Sequence, residues 1–218
     1  MNLQDSKKKL DLATWPRKKQ FHFYNKYSIP YFNVTVKLDV TKLIKKIKKK
    51  KLSFYSTYLF LLMKSINQSQ NFKYRIYNQE IYEVEKIHPI FTVLNEKENF
   101  NFCLCEYTEN FSQFLINYKK VVEQSKASDN ELKDNDDFLG KVFISNLPWL
   151  DFTSMEHPVD QNKPDSIPRI VSGKLVKVNS LFRKKYYLPL SIQVHHALAD
   201  GVHIAKFITK FENNIATC

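Results

Sequence analysis

From Tyr187 to His196 the chain reads YLPLSIQVHH, with apolar and polar side chains alternating, and after ALAD it continues as GVHIAKFITKFENN from Gly201 to Asn214, with apolar residues three and four apart. The first period is that of a strand and the second that of a helix. The segment is therefore predicted to be a strand that turns sharply into an amphipathic helix. The helix's inner face is read as Val202, Ala205, Ile208 and Phe211, Asp200 is its natural N-cap, and Gly201 lets the chain enter it.

The same two periods recur upstream. Alternation marks NVTVKLDV (33–40), EIYEV (80–84), IFTVL (90–94), FNFCLCEY (100–107) and KVFISNL (141–147) as strands. Helical spacing marks 41–50, SFYSTYLFLLMKSINQS (53–69) and NFSQFLINYKKVVEQS (110–125). Strands interspersed with helices predict an α/β chain, an α+β two-layer sandwich in which helices pack on a mixed β-sheet. With no internal repeat and no Gly/Ser linker, residues 1–218 are read as a single domain. ASDNELKDNDD (127–137) and QNKPDSIP (161–168) are read as loops.

Composition removes several function classes. A chain that is 43% hydrophobic and 14% aromatic holds enough apolar surface for a real core, so disorder is not the default. The longest apolar run, YLFLLM from Tyr58, is too short to span a bilayer, and no signal-peptide pattern opens the chain. A cytoplasmic protein with no membrane partner is expected. Cys103, Cys105 and Cys218 lack a CxxC pair and are read as reduced thiols. The net charge of +12 raises a nucleic-acid partner, but only Arg17, Arg75, Arg169 and Arg183 among the 34 basic residues carry the planar fork that phosphate and base readers favour. KLIKKIKKKK (42–51) reads as a solvated amphipathic helix, so nucleic acid is not the expected partner, and a lysine-rich surface that binds it without catalysis stays a competing class.

The turn between strand and helix concentrates the chemistry. In VHHALADG (194–201), alternation puts His196 in the row of Ile192 and Val194, and His195 on the polar face with Ser191 and Gln193. A histidine fixed at the end of a buried row suits a general base near neutral pH; a satisfied core histidine is the plainer reading. His196, Asp200 and His203 could also be offered as metal ligands. No thiolate pair or HExxH spacing supports that, and no metal is expected.

LPLSIQVHHALADGVHIAKF, with WPRKKQFHFY (15–24), FTVLNEKENF (91–100), FSQFLINY (111–118) and FISNLPW (143–149), resembles the trimeric, type A chloramphenicol acetyltransferase family in order and spacing over nearly the whole chain. The resemblance implies a single acetyltransferase domain that transfers acetyl from acetyl-CoA, a co-substrate rather than a resident cofactor, to a hydroxyl of chloramphenicol. The outcome is antibiotic resistance. By the same resemblance His196 is the general base of a ternary-complex mechanism, and Ser145 stabilises the oxyanion. Backbone pairing of the Ser145 hydroxyl is the alternative. Asp200 pairs with Arg17 to brace the turn, and Lys174, with Ser172 nearby, lies on the CoA side. Tyr24, Tyr31, Phe32, Phe102 and Val171 line the acceptor pocket. Trp15 and Trp149 are packing anchors. Tyr31 and Phe102 stand where members often carry small residues, and Val171 where the family has a threonine that Ser172 would replace after a shift of register. These departures point to a second reading, a CoA-dependent acyltransferase of the same fold with a different small hydroxylated acceptor. Family members are homotrimers with the active site between subunits, so His196 and Ser145 of one site are expected from different chains.

Overall fold

Six strands form the path of a large mixed sheet, and its longest member is the one that ends at the paired histidines. The structure is a computed structural model that describes residues 6–126, 138–161, 165–179 and 184–218. In chain order its strands are β1 (Lys7–Lys9), β2 (Tyr31–Asp39), β3 (Tyr74–Tyr77), β4 (Glu80–Val84), β5 (His88–Leu94), β6 (Phe100–Leu104), β7 (Lys141–Asn146), β8 (Arg169–Ser172), β9 (Val176–Asn179) and β10 (Lys184–His195). Its helices are α1 (Lys18–Tyr24), α2 (Thr41–Lys50), α3 (Phe54–Asn67), α4 (Phe111–Lys126) and α5 (Gly201–Thr217). The main sheet runs β2-β10-β8-β7-β5-β6, with β9 also pairing β10, and β1-β4-β3 form a second, small sheet. The β5–β7 and β7–β8 pairs are parallel and the others antiparallel, which is the mixed sheet the alternation predicted.

One face of the large sheet is the core. Phe91, Ile144, Ile170, Leu190, Ile192 and Val194 point from it into a cluster with Tyr58, Leu62 and Met63 of α3 and Phe207 and Phe211 of α5. Each such side chain contributes about 1.5–3 kcal/mol through removal from water. Helix α3 is buried from Ser56 through Met63, which explains its continuous apolar run. A satellite cluster joins Trp15, Phe21, Tyr74 and Ile81 to Ala197 and Leu198 of the turn. The apolar half of the histidine turn is thus clamped onto the small sheet.

Several expectations change. Helix α5 buries Ile204, Phe207, Phe211 and Ile215, while Val202 and Ala205 are exposed. The stripe with the larger side chains wins the core, and Phe207 packs on Phe72 at 4.5 Å. Trp15 is buried, but Trp149 is 62% exposed and lies outside both core clusters of the described residues. Elements α1, β1, β3, β8 and β9 are additions; they are too short, or in β1 too uniformly charged, for periodicity to show. The 127–137 loop and residues 162–164 of the second loop lie outside the described residues.

Candidate active site

The last ladder pair of β10 with β2 is His195 with Tyr31, and His196 is the first residue of the turn rather than a strand residue. Its backbone N–H still donates to the Pro30 carbonyl at 2.8 Å, so the turn leaves β10 against the start of β2. The imidazole stacks on Tyr24 (centroids 3.9 Å apart, planes 11° apart) and tilts against Phe32 at 4.3 Å. Nδ1 is turned inward, 3.0 Å from Asp200 Oδ1 but out of line for a hydrogen bond, and 28% of the side chain stays accessible.

Around this ring the backbone is pinned from several directions. Arg17, at the N-cap of α1, makes a two-pronged contact with the Asp200 carboxylate (2.6 and 3.0 Å) and also donates to the carbonyls of His196 (3.0 Å) and Ala197 (3.1 Å). A fixed guanidinium fork can serve all four acceptors, which a lysine cannot. Trp15, two residues earlier, is buried in the satellite cluster and so anchors the chain just before Arg17. The Arg17 guanidinium holds the Asp200 carboxyl below its ordinary value, against the opposing effect of partial burial. Asn71 Nδ2 donates to the Leu198 carbonyl at 2.8 Å. Asp200 is the N-cap of α5, and its N–H donates to His203 Nδ1 at 2.9 Å. Among the described residues sterics do not demand Gly201, since a Cβ there would meet nothing within 4 Å. No group of three His, Cys, Asp or Glu side chains suited to a metal occurs among the described residues.

His195 lies on the face of Ser191 and Gln193, as alternation placed it, but that face is covered, and His195 is only 4% exposed. Nδ1 accepts the Ala197 N–H at 3.2 Å, and burial pushes the ring's pKa down to about 4. The cover is the irregular segment after β7, in which the Met155 carbonyl accepts from Asn33 and Ser191, and the His157 N–H donates to Gln193. Tyr31 belongs to this side. Its hydroxyl donates to the Asp165 carbonyl at 2.6 Å, its ring meets His195 edge-on, and burial raises its pKa to about 12. The structure therefore places Tyr31 against His195 and not beside the His196 ring.

Ser145 lies on β7, half-buried, in register with Val171 of β8. Its hydroxyl has no hydrogen-bond partner among the described residues, so it is not spent on the backbone.

A family model described as chloramphenicol acetyltransferase matches residues 6–212. The chain belongs to the chloramphenicol acetyltransferase family. Chloramphenicol acetyltransferase 3 of Escherichia coli is 31% identical, over 94% of each chain, and a Staphylococcus aureus chloramphenicol acetyltransferase is 32% identical, over 94% of this chain and 97% of its own. A solved chloramphenicol acetyltransferase superposes with a TM-score of 0.82 at 21% identity, covering 96% of this chain and all of the other. The fold extends further, to a probable dihydrolipoamide acetyltransferase of Listeria monocytogenes with a TM-score of 0.68 at 12% identity, covering 98% of this chain and 95% of the other. The protein is thus an acyltransferase of the chloramphenicol acetyltransferase family.

For a chain of this family the arrangement of the sheet is telling. Ser145, Val171 and Ser191 are level across three strands, and His196 lies five residues beyond Ser191. At about 3.3 Å per residue and about 4.8 Å per strand, His196 and Ser145 of one chain are on the order of 19 Å apart. They also project from opposite faces, His196 with Phe32 and Ser145 with Val171 and Ser191. Phe102, 44% exposed on β6, pairs with Thr92 of β5, which falls level with Ser145 when the β5–β7 register is continued. Thr92 is a site-face residue that the sequence reading did not single out. Ser172 faces the other way, buried, with its hydroxyl donating to Asn146 Oδ1 at 2.9 Å, so it does not take the place of Val171. Lys174 is exposed just after β8. Its N–H donates to the Leu150 carbonyl at 2.7 Å, and a Cβ on neighbouring Gly173 would stand 2.7 Å from that same oxygen.

Proposed function

We propose that the protein transfers the acetyl group of acetyl-CoA to the primary hydroxyl of chloramphenicol and so confers resistance to it. The observation that carries the reading, in a chain of this family, is the His196 ring, held between Tyr24 and Phe32 with Nδ1 turned in to Asp200. That leaves Nε2 to face an acceptor hydroxyl. Nε2 takes the hydroxyl proton as the oxygen attacks the thioester carbonyl, and the developing oxyanion accepts a hydrogen bond from Ser145. Collapse of the intermediate breaks the carbon–sulfur bond, and CoA leaves as the thiol with the proton that His196 held. Arg17 and Asp200 position the base without touching the substrates. Exposed Lys174 meets the polyanionic end of CoA. No nucleic acid or membrane takes part, and the three thiols and acetyl-CoA fit the cytosol.

The partner residues come from a second copy. His196 and Ser145 of one chain stand too far apart to act on one carbonyl, so a complete site joins the His196 side of one subunit to the Ser145 side of the next. Each side carries exposed apolar residues, Phe23, Tyr27 and Ile29 near Tyr24, and Leu94, Phe100 and Phe102 near Ser145. Two unlike patches on one chain make a head-to-tail contact that closes into a ring, here a homotrimer.

The test is CoA thiol release from acetyl-CoA, with and without chloramphenicol, for the wild type and His196→Ala. Chloramphenicol-dependent release that the substitution abolishes supports the reading; release without chloramphenicol, or equal rates in both proteins, overturns it. Locked Tyr31 favours one second reading, a different small hydroxylated acceptor, and a panel of alcohols in the same assay separates the two.

A further inference from the structure

His203 stands in the first turn of α5, at the third helical position, and the reaction as derived gives it no role. Its Nδ1 accepts the Asp200 N–H at 2.9 Å, while its own N–H donates to the Asp200 carbonyl at 2.9 Å. The two residues close a reciprocal pairing akin to the box that Ser or Thr and Glu form at many helix starts, with an imidazole in place of the carboxylate and, for the return bond, the Asp200 carbonyl in place of the N-cap side chain. A carboxylate accepts at any pH near neutrality. An imidazole accepts at Nδ1 only while that nitrogen carries no proton.

We propose that His203 is a positioning residue for the proposed base, and that its cap with Asp200 holds the turn in its working geometry only while His203 is neutral. The inference rests on the acetyl-transfer reading of His196. The chain of contacts is short. His203 fixes the backbone of Asp200, the Asp200 carboxylate receives Arg17 in two prongs and lies 3.0 Å from His196 Nδ1, and Arg17 in turn holds the His196 and Ala197 carbonyls. The charged and titratable groups around His203 are Arg17 from the start of α1, Asp200 and His196 from the turn, and Lys206 from α5. Partial burial, Arg17 and Lys206 all disfavour its cationic form and outweigh Asp200, so its pKa lies below the ordinary histidine value. The cap is therefore intact at neutral pH and opens as the solution is acidified.

The experiment compares wild type, His203→Asn and His203→Leu. Asn places a non-titrating oxygen near the Nδ1 position, whereas Leu has no acceptor. Turnover and both KM values are measured from pH 5 to 8, with thermal melting over the same range and ¹⁵N spectra of the histidine rings of wild type. At pH 7.5 the Leu variant is expected to lose at least tenfold in kcat with KM values within twofold, and the Asn variant to recover most of it. In acid, wild-type log kcat should fall more steeply than that of the Asn variant, by up to the one proton that His203 takes up. Full kcat in the Leu variant, no recovery in a folded Asn variant, or identical slopes would overturn the proposal. If the Leu variant does not fold, the Asn variant and the slopes decide. If wild type does not acetylate at all, the acetyl-transfer reading fails separately, and the ring spectra decide for the cap: an unprotonated, hydrogen-bond-accepting Nδ1 on His203 at pH 7.5 supports it, and a protonated Nδ1 overturns it.

Discussion

The two halves of the proposed site are built on opposite principles. Around His196 the backbone is held at several points: Pro30 accepts its N–H, Arg17 donates to two carbonyls and a carboxylate, Asn71 donates to the Leu198 carbonyl, and two aromatic rings pack on the imidazole. Around Ser145 there is a regular strand, a buried valine on one side and a hydroxyl with no partner among the described residues. A turn has no ladder to hold it, so a base placed there needs side-chain braces. A strand is already rigid, and a hydroxyl left free on it is available to a substrate.

The contrast is most sharply tested by putting the halves on different chains. His196→Ala should lower kcat by about 10²–10⁴, the usual worth of a general base. Ser145→Ala should cost on the order of 10²–10³ in kcat with KM little changed, since an oxyanion donor acts in the transition state. Mixed, unfolded and refolded together, the two nearly dead variants should regain activity, because some interfaces then join an intact His196 side to an intact Ser145 side. A mixture no more active than its components would mean that one chain supplies both groups. A rise in KM at constant kcat in Ser145→Ala would leave the serine as a packing hydroxyl.

How far these halves could be read from sequence follows the same division. Period-two alternation located β7 and β10, and with them Ser145 and the paired histidines, because each strand sets an apolar row into the core and a more polar row on its other face. Its reach ended where the strand did. Alternation put His195 on the polar face but did not show that this face is covered, because the cover, Met155, His157 and Asp165, comes from segments with no periodicity. Asn71 left no trace, since its partner is 127 residues away and an asparagine near a helix end has many ordinary uses. The helical stripe of α5 was misphased because two stripes were available and only packing against Phe72 and α3 chose between them.

The braces should matter for stability in proportion to their burial. Arg17 is 11% exposed, with four acceptors, and its loss strands the Asp200 carboxylate. Arg17→Met is expected to cost about 2–4 kcal/mol, between an exposed pair and a fully buried one. Asn71→Ala removes one hydrogen bond to a backbone carbonyl and should cost about 1 kcal/mol. Chemical denaturation of both variants checks the order. The reverse order would mean that the Arg17 fork contributes little beyond its geometry, and that the turn is held mainly by the satellite core.

The covered face adds a prediction that no substitution is needed to see, a dependence of stability on pH. His195 and His157 are both held neutral by burial, with pKa values of about 4 against 6.5 for an ordinary histidine. Below about pH 6.5 the unfolded chain takes up protons that the folded chain refuses, so this part of the stability is complete above pH 6.5. It declines as pH falls toward 4 and levels off once the folded rings also protonate. His195→Asn keeps an acceptor for the Ala197 N–H but removes the titrating ring, so it should flatten the decline by up to one proton, at most about 1.4 kcal/mol for each pH unit. Melting temperatures of wild type and variant, taken every half unit from pH 7.5 to 4.5, measure the difference. Parallel curves would show that His195 titrates normally, and hence that water reaches the face which the segment after β7 covers.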